Sequence, residues 1–291
     1  MDFKELNLAE LDRNLSEQER QEWQAIYASY RGGSVLTGQV VGVDEHEVSY
    51  VPEGKRRAVK RTIRCLIVIP YRVKIIIPDT EVFLDFEEPP SLQSMNGANI
   101  SFIVTEIDRL EGVATASRKQ ALEQIKRVNA RRRLEAGQII DAEVISVGRG
   151  ACTVTYRGYD VMLVQKEVSH NTVPDLRMVL KPGEVKKAVV KEFNRKENIL
   201  RLSIKDTIPH PFDGVETRHP TGSTRIATIV GKYGGGVYCR LFDGATEILC
   251  SYATMEYDGD YKIGDNVEIL IRKYNYERKL VYGKILRKMH R

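Results

Sequence analysis

Between residues 231 and 250 the chain reads GKYGGGVYCRLFDGATEILC, a stretch in which Lys232, Tyr233, Tyr238 and Arg240 interleave two aromatic rings with two cations. That combination suits a single-stranded nucleic acid, whose bases stack on rings while its phosphates meet Lys and Arg. The three glycines raise a rival chemistry, the cradling of a nucleotide phosphate. A P-loop, however, ends in Gly-Lys-Ser/Thr and opens a helix. Here Lys232 precedes the glycines, and Val237, Cys239 and Leu241 alternate with Tyr238, Arg240 and Phe242 at the period of a strand. Asp243-Gly244 then gives a tight turn before a second strand, Glu247 to Ser251. The alternation turns Val237, Cys239 and Leu241 inward and leaves Tyr238 and Arg240 outside. The glycines mark the place where a strand coils sharply, as small β-barrels require.

Other chemistries find no footing. The histidines, His46, His170, His210, His219 and His290, are scattered, with no Ser/His/Asp or Cys/His spacing and no metal triad. Cys65, Cys152, Cys239 and Cys250 form no C-x-x-C pair, so no zinc site or disulfide framework is indicated. Cys239 and Cys250 both sit on the apolar face of the hairpin and read as reduced core residues. The expectation is a protein without catalytic residues, metal or cofactor. The opening MDFKELNLAE does not read as a signal peptide and the apolar stretch around CLIVIPY is too short to span a membrane, so a cytoplasmic protein is expected.

Net charge is +5, but it is unevenly placed. Residues 1–31 carry seven acids against four bases, whereas 54–64 (GKRRAVKRTIR), 117–133 (ending NARRR) and 271–291 (IRKYNYERK…) are strongly basic. Such clustering is the electrostatic footprint of a nucleic-acid binder. Eight of the fourteen tyrosines lie between Tyr233 and Tyr282.

A schedule of glycine, strand, glycine turn, strand, short turn, strand, connection, Lys-x-Gly, strand, polar turn, strand recurs at 137–205 and 222–285. Residues 33–117 follow it with a long insertion. The sequence is therefore mainly β: three tandem five-stranded barrels at 33–117, 137–208 and 218–291. An acidic amphipathic helix occupies 1–32, with Ser16 and Glu19 as a capping box and Trp23, Ile26, Tyr27 and Tyr30 on one face. A basic linker helix, 118–136, starts from Ser117 and presents Leu122, Ile125 and Val128 to a barrel. It leaves Arg131, Arg132 and Arg133 for solvent or phosphate.

The motifs LKPGEVKKAVVKEFNRKENILRLSIK, VTEIDRLEG and KIIIPDTEV resemble the S-one RNA-binding domain, the OB-fold module repeated along bacterial ribosomal protein S-one. The resemblance implies a non-catalytic protein that binds single-stranded RNA, holds messenger RNA during translation and works near the small ribosomal subunit. The family's aromatic before the glycine turn is matched by Tyr233 but replaced by Arg149 in the second unit. Its strand-three histidine is replaced by Ile76, Leu163 and Leu249. Its aspartate after strand four is Asp108 in the first unit and becomes Asn194 and Asn275, with Lys279 at the following basic position. The second unit, without stacking groups, reads as a spacer or a protein-contact domain. The alternative is an interaction adaptor in which the N-terminal helix docks a protein such as RNA polymerase or a nuclease.

Overall fold

The computed structural model describes residues 16–50, 59–70, 73–84, 86, 88–171 and 173–289. They fall into two compact units, Met1–Gln165 with Asp175–Leu202, and Lys166–Pro174 with Ser203–Arg291.

In the first unit, α1 (Glu17–Gly32) opens on the expected capping box. The Ser16 hydroxyl accepts from the Glu19 N–H, and the Glu19 carboxylate accepts from the Ser16 N–H at 2.9 Å. Gly33 closes the helix in the left-handed region, φ +67°. Residues 1–15 of the expected helical segment lie outside the described residues. Trp23, Ile26 and Ser29 are buried in the first barrel's core, and the Ser29 hydroxyl accepts from the Val104 N–H at 3.0 Å. Burial of the two apolar side chains stabilises this docking by about 1.5–3 kcal/mol each. Tyr30, expected on the same face, is exposed.

The first barrel closes in the order β1-β2-β3-β5-β4, from β1 (Leu36–Tyr50), β2 (Val59–Val68), β3 (Lys74–Pro78), β4 (Asn99–Asp108) and β5 (Val113–Ser117). The inserted sequence prolongs β1 and β2 into a hairpin that pairs as far as Tyr50 with Val59. Residues 54–58 of the basic segment lie outside the described residues. Alternation buries Ile75 and Ile77 of β3 and Ile100, Phe102 and Val104 of β4.

The linker helix, α2, is shorter than the sequence suggests: it runs Arg118–Val128 rather than to 136. Ser117 caps its start as expected, accepting from the Gln120 N–H. The Asn129 side chain donates to the Ile125 carbonyl at 2.9 Å and satisfies the last turn, so Arg131, Arg132 and Arg133 follow the helix and are exposed. Val128 is 75% exposed, not packed; the buried residues are Arg118, Ala121 and Leu122.

The second domain is built from β6 (Ile139–Val147), β7 (Ala151–Tyr156), β8 (Tyr159–Val164), β9 (Val185–Asn194) and β10 (Ile199–Ser203). Its order is the same, but β8 and β10 do not pair, so it is an open five-stranded sheet where the sequence predicts a closed barrel. Just past β10, the Ile204 N–H instead donates to the Glu167 carbonyl at 2.8 Å, beyond the end of β8.

First barrel, linker and second sheet form one body around Arg118. Its guanidinium, 1% exposed, grips Asp160 with two bonds of 2.6 and 2.8 Å and donates to the Val82 carbonyl at 2.9 Å. Gly158, at φ +87°, lets the β7–β8 turn touch α2, since a Cβ there would stand 2.5 Å from the Leu122 carbonyl oxygen. Gly183 similarly meets Gly97, with 2.7 Å left for a Cβ. Ile145 of β6 joins the first core, and Lys126 of α2 lies 4.7 Å over the Tyr159 ring and donates to Asn198.

In the second unit, β11 (Thr224–Tyr233), β12 (Gly236–Leu241), β13 (Glu247–Ser251), β14 (Asn266–Asn275) and β15 (Leu280–Lys288) close in the order β11-β12-β13-β15-β14. Val237, Cys239, Leu241, Val267, Ile269 and Ile271 are buried, as the alternation requires. The core also takes in Phe212 and Val215, upstream of residue 218.

Two outcomes follow. Arg118→Leu or Asp160→Leu alone should destabilise by about 3–5 kcal/mol because each strands a buried charge, while the double change should cost much less. Denaturant unfolding of the four proteins of the cycle reads this directly, and additive effects would remove the pair from its structural role. All four cysteines are free and buried, and burial pushes the Cys65 thiol up to about 11 and the Cys152 thiol up to about 12. Alkylation at pH 8 followed by mass measurement should therefore find the thiols inert in the folded chain and reactive after unfolding.

Candidate nucleic-acid interface

Hairpin β11–β12 turns at the three glycines, and Gly236 is the one whose size matters. A Cβ there would lie 2.4 Å from the Cys250 carbonyl oxygen and 3.1 Å from the Tyr233 ring. Glycine thus lets β12 run against β13 and lets the Tyr233 ring fold over the strand start. Tyr233 is 45% exposed, and its ring centroid lies 5.7 Å from that of Tyr238, inclined at 48°.

Tyr233 borders an open groove of about 430 Å³ whose other walls include Leu249, Ser251, Arg272, Lys273 and Tyr282. Lys273 and Tyr282 are cross-strand partners, with the ammonium 5.1 Å from the ring centroid. Arg272 and Lys273 are both exposed although they are consecutive in β14. Strict alternation would bury one of them, but the register with β15 slips between Ile271 and Lys273, and a bulge places two successive residues on one side. Sequence alternation misses Arg272 and Lys273 for this reason; the signal available is the third basic segment, which contains both.

The same slip occurs in β4, between Val104 and Glu106, where Thr105 and Glu106 occupy the equivalent places. In β9 those places fall to Lys191 and Glu192, and Glu192 is paired with Arg201 at 3.4 Å. Tyr238, opposite Gly231, corresponds to Ile67 opposite Gly42 and to buried Thr153 opposite Ser146. Two rings and two cations therefore converge on this face in the third barrel, whereas its counterparts carry Thr105 with Glu106 and Lys191 with Glu192, and an aliphatic or small side chain in place of Tyr238.

The other expected site residues are distributed differently. Lys232 donates to the Asp258 carbonyl at 2.6 Å and lies 3.2 Å from its carboxylate. The Tyr252 hydroxyl and then Lys232 hold that carboxyl below the ordinary range. Arg240 grips Glu247, its cross-strand partner, at 2.6 Å. Asp108, Asn194 and Asn275 play the same part in their domains. Each side-chain oxygen accepts backbone N–H groups two or three residues on, capping the turn between the fourth and fifth strands. Lys279 faces away from this groove, into a separate cleft with His170 and His210. Arg131, Arg132 and Arg133 belong to the first unit, where the Arg132 carbonyl accepts from Arg195 at 3.1 Å. Among the described residues no group of three or more His, Cys, Asp or Glu is placed to hold a metal, and no helix is long and apolar enough to cross a membrane.

The arrangement can stack two bases and neutralise nearby phosphates, which is the chemistry of single-strand recognition. Comparison with known proteins points the same way. The family model described as S1 RNA binding domain matches residues 133–205. The chain is 27% identical over 168 residues to small ribosomal subunit protein bS1 of Staphylococcus epidermidis, covering 56% of this chain and 42% of the relative. It is 24% identical to the bS1 homolog of Bacillus subtilis, covering 64% and 49%. It is also 23% identical to 4-hydroxy-3-methylbut-2-enyl diphosphate reductase of Clostridium acetobutylicum, covering 77% of this chain but 36% of that enzyme. The chain thus spans less than half the length of these relatives. All three domains share one strand order, and the S1 RNA binding domain match falls on the second of them, at 133–205, between two further OB-type barrels.

Proposed function

We propose that the chain binds single-stranded RNA, with bases stacked on Tyr233, Tyr238 and Tyr282 and phosphates met by Arg272 and Lys273. The observation that carries this reading is the bulge in β14, which turns two consecutive cations onto a groove already walled by tyrosines. Similarity to bS1 proteins supports a setting in translation, with messenger RNA as the strand, the small ribosomal subunit as partner and the cytoplasm as the compartment. The exposed Arg131, Arg132 and Arg133 add a second basic stretch. Catalysis is not part of the reading: the groove has no general base beside a nucleophile, and the reductase is matched over about a third of its length. The adaptor alternative loses its main support, since Trp23 and Ile26 of α1 are spent on the first barrel's core.

Fluorescence titration of a short unstructured RNA tests the proposal. Tyr233→Ala with Tyr282→Ala should weaken binding by about 2–4 kcal/mol and leave the salt dependence nearly unchanged, because rings contact bases and not phosphates.

Arg272→Gln with Lys273→Gln should instead flatten the slope of log K against log salt, by about 0.7 for each phosphate no longer neutralised. An unchanged affinity in both variants, with the fold intact by circular dichroism, would reject the third barrel as the RNA platform. A change of affinity in Glu106→Gln or Glu192→Gln, with none in those two variants, would place the platform on another domain.

A further inference from the structure

A separate cleft lies in the unit formed by Lys166–Pro174 and Ser203–Arg291, on a surface different from the tyrosine groove. An open cleft of about 540 Å³ is lined by Lys166, Lys205 and Lys279 and by a histidine pair, His170 and His210. The two imidazoles lie with centroids 4.5 Å apart. The Phe212 N–H donates to His210 Nδ1 at 3.0 Å, which leaves Nε2 to carry the proton, and His170 Nε2 lies 3.3 Å from the Ile208 carbonyl. Asp206 and Asp213 are the acids at its rim. With neutral histidines the cleft holds three cations against two acids, and each histidine that protonates adds one more.

Lys279 gives the cleft its second, independent mark. It stands at φ +48°, in the left-handed region, in the turn between the fourth and fifth strands. The equivalent position is Gly112 at φ +67° in the first barrel and Asn198 at φ +56° in the second domain, the residue types that tolerate this conformation. A lysine there costs backbone strain that neither neighbour bears. Its ammonium reaches over the cleft to within 3.5 Å of the Asp213 carboxylate, with 48% of its side chain still exposed. An exposed ion pair of this length contributes little to stability, so folding does not account for the lysine. Burial, together with His170 and Lys279 nearby, shifts His210 below the ordinary histidine range and so favours its neutral form in the empty cleft.

We infer that this cleft binds a phosphate-type oxyanion, taken from RNA as a terminal phosphate or a backbone phosphodiester, with Lys166, Lys205 and Lys279 as charge partners and the His170–His210 pair as proton-linked donors. The sign of the linkage follows from the groups present. The charged groups facing the site are Lys166, Lys205, Lys279, Asp206 and Asp213, and the imidazoles are the one side-chain type there whose ordinary charge change falls between about pH 5 and 8. A bound anion favours imidazolium, so binding takes up protons and tightens as pH falls. The gain is about ten-fold for each unit by which the anion raises a histidine pKa.

The probe is sulfate, which remains a dianion across that pH range, titrated into the full chain while the ring signals of His170 and His210 are followed by NMR. Saturable shifts of both rings, tighter at pH 5.5 than at pH 8, are expected; shifts matched by sodium chloride at equal ionic strength would overturn the site. Lys279→Asn, which installs the residue type of the second domain's turn and relieves its strain, should weaken sulfate at least ten-fold without loss of stability, and so should Lys205→Gln. Unchanged affinity in both would also overturn it. Tyr233→Ala with Tyr282→Ala should leave sulfate binding intact, so the cleft and the groove stand or fall separately. Competition distinguishes the source: displacement of sulfate only by a 5′-phosphorylated oligonucleotide identifies the terminal phosphate, and displacement also by the unphosphorylated strand identifies the diester. Failure of both strands to displace sulfate would overturn the assignment to RNA.

Discussion

The arrangement of the first unit depends on one buried ion pair. Arg118 sits at the first position of α2, so its backbone is fixed by the Ser117 cap while its guanidinium reaches Asp160 on the next domain and the Val82 carbonyl on the previous one. Taking two charges out of water costs several kcal/mol per ion, and only two-point geometry with further bonds offsets that. The pair is therefore a poor source of stability and a strong source of specificity, since any other placement of the second sheet leaves a charge unpaired in the interior. The glycine contacts at Gly158 and Gly183 fit this picture. Each works only at the one separation that Arg118 and Asp160 set.

A related device recurs where the fourth strand turns into the fifth. In the second domain that turn touches the helix before it through Asn198 and Lys126, and the Arg195 side chain reaches the Arg132 carbonyl. In the third barrel the same turn reaches the segment before it through Lys279 and Asp213, through the Tyr274 hydroxyl donating to the His219 carbonyl, and through Tyr276 edge-on to Phe212 at 5.7 Å. An OB-type barrel has few long connections from which to hold a linker. The turn capped by Asn194 or Asn275 is rigid enough to serve, because its backbone N–H groups are already satisfied.

How much of this the sequence discloses depends on whether the signal is local. Ser16 with Glu19, Ser117 with Gln120 and the β12–β13 hairpin are written within a few residues, and the structure places them where periodicity and capping rules do. The end of α2 is less legible, because the Asn129 side chain competes with continued helix only once the turn exists. The gap between β8 and β10 is a long-range pairing that fails, and nothing in either strand's composition announces it. Arg118 reads as one more base in a basic helix, since its partner is 42 residues away. In the candidate site, Tyr233 and Tyr238 are visible as alternation, whereas Lys232 and Arg240 mislead because their acids, Asp258 and Glu247, come from neighbouring segments.

The bulge in β14 connects these points. A slip of register is nearly invisible in sequence, because it changes the face of a residue without changing its type. The first barrel keeps the same slip in its fourth strand, so the bulge is not peculiar to the third barrel. What differs is the residue pair exposed there: Thr105 and Glu106, Lys191 and Glu192, Arg272 and Lys273. The family match covers the second domain, where Glu192 at this place is tied to Arg201. Charge at the bulge can change by substitution of two exposed side chains with no cost to the barrel. Under the proposed function, a tandem array thereby assigns one copy to hold its neighbour and another to hold RNA, while every copy keeps the same strand order.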